Sequence, residues 1–178
     1  MKWLYGIPAL ALLVLLVDFV WLARLEYGGP PHVELMLEGE VPATFYLPPD
    51  PQQGPNSRWG LAEPTPGEKP AAVVLAHGFA GDRASLSTLA RSMAHAGYAV
   101  LVIDMRGHGA NRNSFARGRG TDAFLLEDIG TAVDFLRTSP RVDGNRIAVG
   151  GHSMGAGASL AYGGHDPGID GLLLISGG

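Results

Sequence analysis

The chain has 178 residues, of which 46% are hydrophobic and 17% are charged, and its net charge is −4 at pH 7. These values describe one domain of ordinary size with an added apolar segment, and they exclude a disordered chain. The scattered lysines and arginines exclude nucleic acid as an expected partner. Because there is no cysteine, disulfides, thiolate metal sites and a lipoprotein anchor are excluded as well.

The amino-terminal segment 3–22 is apolar enough and long enough to cross a bilayer. About 20 residues at about 1.5 Å per residue span about 30 Å, the thickness of the hydrocarbon layer. Lys2 favours a cytoplasmic amino terminus. We therefore expect residues 1–27 to form a single-pass anchor, with the rest of the chain outside the cytoplasm. A cleaved signal peptide, which would leave a secreted protein, is the alternative, although no pair of small residues marks a cleavage site.

The remaining residues, 28–178, form a predicted domain in which strand and helix patterns alternate. A hairpin around Gly39-Glu40 is followed by a proline-rich stretch, 48–70, which we expect to be a long loop. Continuous apolar runs then alternate with helical stripes, a pattern typical of a parallel sheet with helices on both faces. The predicted strands are 33–38, 41–47, 71–76, 98–103, 146–149 and 171–175. The predicted helices are 85–95, a segment from Thr121 to before Pro140, and one that follows residue 153.

Three short motifs directly follow three of these predicted strands. In chain order they are His77-Gly78-Phe79, Asp104-Met105-Arg106-Gly107-His108-Gly109 and Gly151-His152-Ser153-Met154-Gly155. Open α/β sheets place their functional sites at the carboxyl ends of the strands, where these motifs fall. A G-x-S-x-G between a strand and a helix is the context of a nucleophile elbow, a tight turn that exposes the serine hydroxyl.

In this order and context the three motifs resemble those of the α/β-hydrolase superfamily, from about residue 73 to residue 178. The resemblance implies an incomplete α/β-hydrolase fold that stops after its sixth strand, so we expect an amino-terminal fragment of a serine hydrolase. It also implies that Ser153 is the nucleophile that forms an acyl-enzyme. The backbone N–H groups of Met154 and Phe79 correspond to the two oxyanion donors. Supporting positions are His77, Gly78, Gly151, His152 and Gly155.

The other polar residues of this region have structural interpretations. The resemblance implies that Asp104 and Arg106 lie in a structural turn and bond to each other or to the backbone. Asp128, on the predicted helix that begins at Thr121, is interpreted as a solvated or capping carboxylate.

His165 and Asp166 come soon after the serine in the chain but are rejected as its base and acid. They leave the predicted elbow helix at its far end, about 15 Å from Ser153, whereas a base needs contact at about 3 Å. In the superfamily the acid and then the histidine follow the serine. Both are therefore expected beyond residue 178.

The sequence predicts a membrane-anchored serine hydrolase that cleaves an ester, thioester or amide without a metal or organic cofactor. An esterase or lipase with a small-molecule or lipid-like acyl substrate is favoured, and a serine peptidase comes next. The resemblance also extends to dienelactone-hydrolase-like and prolyl-peptidase-like members. A non-catalytic α/β-hydrolase-like binding module is the alternative, against which the retained Ser153 turn argues. The fragment alone is expected to be inactive, because the members of a catalytic triad act as a unit.

Overall fold

The structure is a computed structural model that describes residues 16–17, 29–49, 69–115 and 121–176. Almost all of the predicted anchor and most of the proline-rich stretch lie outside the described residues. In the part of the chain that the structure describes, no helix is long and apolar enough to cross a membrane.

The described residues form one six-stranded mixed sheet. Its strands are β1 His32–Met36, β2 Pro42–Tyr46, β3 Ala72–Ala76, β4 Ala99–Ile103, β5 Ile147–His152 and β6 Gly171–Ile175. Across the sheet the order is β1-β2-β4-β3-β5-β6. The first two strands form the expected hairpin, and β2 joins β4 in an antiparallel pair. All later pairs are parallel, so the prediction of a mainly parallel sheet is confirmed.

Helices pack on both faces of the sheet, as the sequence predicts. Among the described residues they are α1 Ser87–His95, α2 Thr121–Thr138 and α3 Met154–His165. Helix α1 packs on the face to which Leu75 of β3 contributes. Residues of α2 and α3 join a larger cluster on the other face, to which Val74 contributes. Neighbouring residues of β3 thus serve opposite faces, as in a strand that is covered on both sides.

Two elements differ from their predicted bounds for local reasons. Strand β5 continues to His152, beyond its last apolar residue, because the glycines that follow stay paired with β3 and β6. The turn that carries Ser153 therefore starts directly at the end of the ladder. Helix α1 begins two residues later than predicted, because Arg83–Leu86 form a 3₁₀ helix whose Ser85 N–H is capped by Asp82.

The register shows where the chain enters the sheet relative to Ser153. Because β1 is antiparallel to β2, and β2 to β4, β1 runs in the same direction as the parallel strands. The first residue of β1, His32, is level with Tyr46, Val100, Val73 and Ala148. The chain thus enters at the edge where the parallel strands begin, and Ser153 lies at the edge where they end.

Candidate active site

Ser153 forms a strained turn between β5 and α3. Its backbone angles are φ 51° and ψ −112°, a region that non-glycine residues adopt at a cost of order 1–3 kcal/mol. The turn is held because Ser153 N donates to Ile175 O at 2.9 Å and Ser153 O accepts from Gly157 N at 3.0 Å. The residue is exposed, and its side chain makes no capping hydrogen bond. The hydroxyl therefore faces outward, as in a nucleophile elbow.

One backbone oxygen explains both glycines of this turn. A Cβ atom added at Gly151 or at Gly155 would overlap the carbonyl oxygen of Ala76, at the end of β3. The elbow and the start of α3 are thus pressed against the neighbouring strand. Since Ala76 is paired with strands on both sides, its carbonyl has no room to move away. Only residues without a side chain fit at both positions.

The two predicted oxyanion donors come from turns on either side of the serine. Met154 is the first residue of α3, so its N–H has no carbonyl partner within the helix, and the helix dipole adds positive potential there. The turn after β3 lies close by. A Cβ atom added at Gly78 would lie 3.4 Å from Ser153 Cβ and 2.8 Å from His152 Nδ1. The structure thus places the turn that carries Phe79 beside the elbow that carries Met154.

His77 fixes the turn after β3 through both of its ring nitrogens. The imidazole is fully buried, and its Nε2 accepts a hydrogen bond from Met105 N at 3.1 Å. Because a backbone N–H only donates, Nδ1 carries the proton and donates to Gly78 O at 2.7 Å. Burial lowers the pKa of His77 below its usual value of 6.5. This neutral imidazole holds the turn in place, and neither nitrogen is available to Ser153.

Four aromatic rings cluster beside the candidate oxyanion turn. They are His77, Phe79, His108 and Phe115, which meet edge-on with ring centroids 5.3–5.7 Å apart. The Phe79 residue is 49% exposed, so the cluster presents an apolar surface at this edge of the sheet. No sequence pattern indicates that Phe115 belongs here. The ring of Phe115 is placed in the cluster because this residue packs closely against Gly107, where an added Cβ atom would overlap the phenylalanine.

Asp104 and Arg106 do not pair with each other, and of the two expected arrangements Asp104 shows the bonds to the backbone. Asp104 is fully buried, and it accepts hydrogen bonds from Arg83 N at 2.7 Å, from the Arg83 guanidinium and from Ala110 N at 2.8 Å. The expected bonds of Asp104 to the backbone are therefore present. Because Arg83 follows the turn after β3, the Asp104 carboxylate ties that turn to the turn after β4.

Asp128 is buried and paired, which corrects its interpretation as a solvated or capping carboxylate. It is only 1% exposed and accepts from Arg106 N at 2.8 Å, Nε at 3.1 Å and Nη2 at 2.7 Å. The pair fastens α2 to the turn after β4. The sequence contains a signal for this position, since Asp128 lies three residues after Leu125 and thus on the apolar stripe of the helix.

The rejection of His165 and Asp166 agrees with their positions. Helix α3 has 12 residues, about 18 Å from end to end, and both residues lie at the end opposite Ser153. Asp166 accepts from Arg137 Nη2 and from Tyr162 OH, each at 2.9 Å. The Arg137 hydrogen bond lowers the pKa of Asp166 to about 2, and burial raises the pKa of Tyr162 to about 12. These residues join α2 to α3.

The described residues thus bring Ser153, the amino terminus of α3 at Met154 and the turn that carries Phe79 together at one edge of the sheet. Within the described ranges, no imidazole or carboxylate forms a hydrogen bond with the Ser153 hydroxyl. No group of three or more potential metal ligands is found among the same residues.

The sheet order, the flanking helices and the strained serine define an α/β hydrolase, which confirms the resemblance seen in the sequence. Residues 67–178 match the family model described as serine aminopeptidase, S33. The chain belongs to this family.

Similar proteins include a lipase, cutinases and a dienelactone hydrolase. A monoacylglycerol lipase of Mycolicibacterium smegmatis is 36% identical over 109 residues, 59% of this chain and 36% of that protein. Cutinase 2 of Thermobifida cellulosilytica is 31% identical over 105 residues, 59% of this chain and 38% of that protein. The chain therefore spans little more than a third of the length of these curated relatives. A dienelactone hydrolase from Anabaena variabilis shares the fold, with a TM-score of 0.60 and 19% identity over 82% of this chain and 63% of that chain.

Proposed function

We propose that Ser153 is the nucleophile of a serine hydrolase that cleaves an ester, thioester or amide. The observation that carries the proposal is the strained backbone of Ser153 between two glycines that the Ala76 carbonyl requires. A serine held in this way has its hydroxyl exposed at the amino terminus of a helix. A binding module has no need of this geometry, and for this reason we favour an enzyme.

In the proposed reaction Ser153 Oγ bonds to the acyl carbon while its proton passes to a general base. The carbonyl oxygen becomes an oxyanion, which the N–H groups of Met154 and Phe79 stabilise; loss of one such donor costs about 3–4 kcal/mol in other enzymes. Collapse of this intermediate breaks the bond to an alcohol, thiol or amine, which takes up the proton held by the base, and water then hydrolyses the acyl-enzyme to a carboxylic acid and free Ser153. We propose that the base and its acid come from residues outside those that the structure describes.

An esterase or lipase is the favoured reaction type. Its support is the relationship to a monoacylglycerol lipase and a cutinase, together with the exposed aromatic surface beside the candidate oxyanion turn. The proposed substrate is a small-molecule or lipid-like acyl compound. A serine peptidase is the second candidate, because the matching family model is described as a serine aminopeptidase. Initial rates on p-nitrophenyl esters and on aminoacyl p-nitroanilides would separate the two.

We also propose that segment 3–22 anchors the protein in a membrane, with the hydrolase domain outside the cytoplasm. The support is the length and apolar character of this segment in the sequence. Retention of the protein in the membrane pellet after washing with alkaline carbonate is the expected result. Release into the supernatant would contradict the anchor.

Fluorophosphonate labelling of native membranes, read by intact mass, tests the nucleophile. We expect a labelled species that disappears in Ser153→Ala, and its mass compared with 18.7 kDa gives the length of the natural product. Ser159→Ala is the matched control, since Ser159 lies on the same helix but is only 1% exposed, and it should leave labelling intact. Two results would overturn the proposal of a serine hydrolase and favour the binding module. One is the absence of labelling although the protein is present, and the other is labelling that survives Ser153→Ala.

A further inference from the structure

We propose that the edge of the sheet that carries Ser153 faces away from the membrane in which the protein is anchored. The acyl substrate then reaches the serine from the aqueous side, and lipids of the host bilayer are not its substrates. This inference rests on the proposed function, in which segment 3–22 is the anchor and Ser153 is the nucleophile.

The direction of β1 carries the argument. The chain comes from the anchor into His32, which is level with Ala148 in the register of the sheet. Ser153 lies five residues further along from Ala148. At about 3.3 Å per residue the serine is about 16 Å beyond the level at which the chain enters the sheet.

The chain before β1 is already fixed to the domain. Pro31 O accepts a hydrogen bond from Leu47 N at 2.8 Å, which extends the hairpin by one residue in the direction away from Ser153. Pro30 is buried, and Gly29 lies against the Arg91 side chain, to which an added Cβ would come within 3.7 Å. In the sequence only residues 23–28 therefore separate the predicted anchor from the described part of the domain.

This short tether limits how far the domain turns. Six residues between two fixed ends span at most about 25 Å when fully extended. To turn Ser153 toward the bilayer, the tether would have to run back along the domain over the whole distance of about 16 Å and the height of the elbow. Nearly all of its length would then be extended, which costs conformational entropy. The opposite orientation needs no such extension, and the serine then faces the aqueous phase.

These 178 residues contain no cysteine, and any cysteine beyond them is replaced by serine, so single labelled cysteines give a direct test. Arg112→Cys places an exposed probe in the turn after β4, at the edge that carries Ser153. Arg141→Cys is the matched variant, since it places an exposed probe before β5, at the opposite edge. Each full-length variant is labelled with a small fluorophore and reconstituted into phosphatidylcholine vesicles that contain a lipid with a nitroxide headgroup.

We expect the nitroxide lipid to quench the probe at position 141 at least threefold more strongly than the probe at 112. A soluble nitroxide should quench both probes equally. Stronger or equal quenching at 112, equal lack of quenching at both, or a mature protein that lacks residues 3–22 by intact mass would each overturn the inference. Fluorophosphonate labelling of Ser153 is measured separately in the same vesicles. Its absence would contradict the proposed hydrolase and would leave the difference in quenching between positions 112 and 141 unchanged.

The location of the substrate gives a second readout. A fluorogenic acylglycerol is placed either in the vesicles that hold the protein or in separate acceptor vesicles at equal total concentration. We expect hydrolysis in the acceptor vesicles to be at least as fast as in the host vesicles. Hydrolysis that is fivefold or more faster in the host vesicles would overturn the inference.

Discussion

Gly78→Ala is expected to disturb the candidate oxyanion turn while every proposed catalytic side chain keeps its identity. The added methyl group would lie 2.8 Å from His152 Nδ1, well inside the 3.4–4 Å of an ordinary contact. Either the imidazole or the turn must therefore shift by about 0.6 Å or more. A misplacement of about 1 Å costs about 100-fold in rate, and the complete loss of one oxyanion donor costs about 100- to 1000-fold. We expect Gly78→Ala to slow the reaction of Ser153 by about 10- to 100-fold.

A second substitution separates this clash from other causes. His152→Ala removes the close contact, and the nearest remaining atom is then Ser153 Cβ at 3.4 Å, which is an ordinary contact. The Gly78→Ala/His152→Ala double variant should therefore react within about threefold of His152→Ala alone. The assay is the second-order rate of fluorophosphonate labelling in native membranes. Where ester turnover is measurable, kcat should fall more than KM rises, because the donors act in the transition state.

Two results would refute the reasoning about Gly78. Unchanged labelling by Gly78→Ala would show that the turn tolerates the methyl group. A double variant as slow as Gly78→Ala would show that contact with His152 is not the cause. A melting temperature close to that of the wild type for each variant is the control for folding.

Three further predictions concern stability. The melting temperature of Ser153→Gly should be higher than that of Ser153→Ala, because only glycine adopts the positive φ without strain. The expected difference is about 2–4 °C for each kcal/mol of strain. Equal melting temperatures would contradict the strain. Asp128→Ala should lower the free energy of unfolding by about 3 kcal/mol in urea titrations, because the Arg106 guanidinium, which is 12% exposed, keeps only the exposed Glu127 as a carboxylate partner. An Arg106→Met/Asp128→Leu variant should lose less. Burial lowers the pKa of His77, so its contribution to stability is complete above pH 6.5 and is lost as the pH falls below 6.5. The melting temperature between pH 7.5 and pH 5 should therefore fall more in the wild type than in His77→Gln, and parallel curves would contradict this.

Local sequence patterns predict most of the sheet and the elbow. The run Gly171–Ile175 has the predicted bounds, because it is a continuous apolar stretch of strand length between polar turns. The glycines at 151 and 155 are equally informative. A tight turn requires residues without side chains at these two positions. The role of the glycines can therefore be predicted from the sequence without knowing which atom of β3 lies opposite them.

The partners of the charged residues could not be predicted in the same way. Asp104 has Arg106 two residues away in the chain, yet it binds Arg83, because the sheet brings the turns after β3 and β4 together. The side chain of Arg106 extends to α2 instead. Pairing between turns depends on strand order, which no single turn encodes. The anchor and the proline-rich stretch lie outside the described residues, and their predictions stay predictions.

The position of the Ala76 carbonyl has a consequence for genetics. The atom that excludes a side chain at Gly151 and at Gly155 belongs to the main chain, so every amino acid at position 76 presents the same obstacle. A substitution elsewhere could not remove it without taking apart the ladder that β3 forms with its neighbours. A selection for suppressors of Gly151→Ala should therefore return true revertants and no second-site mutations. Variation that changes the proposed activity must then arise in the surrounding turns, with the elbow itself unchanged.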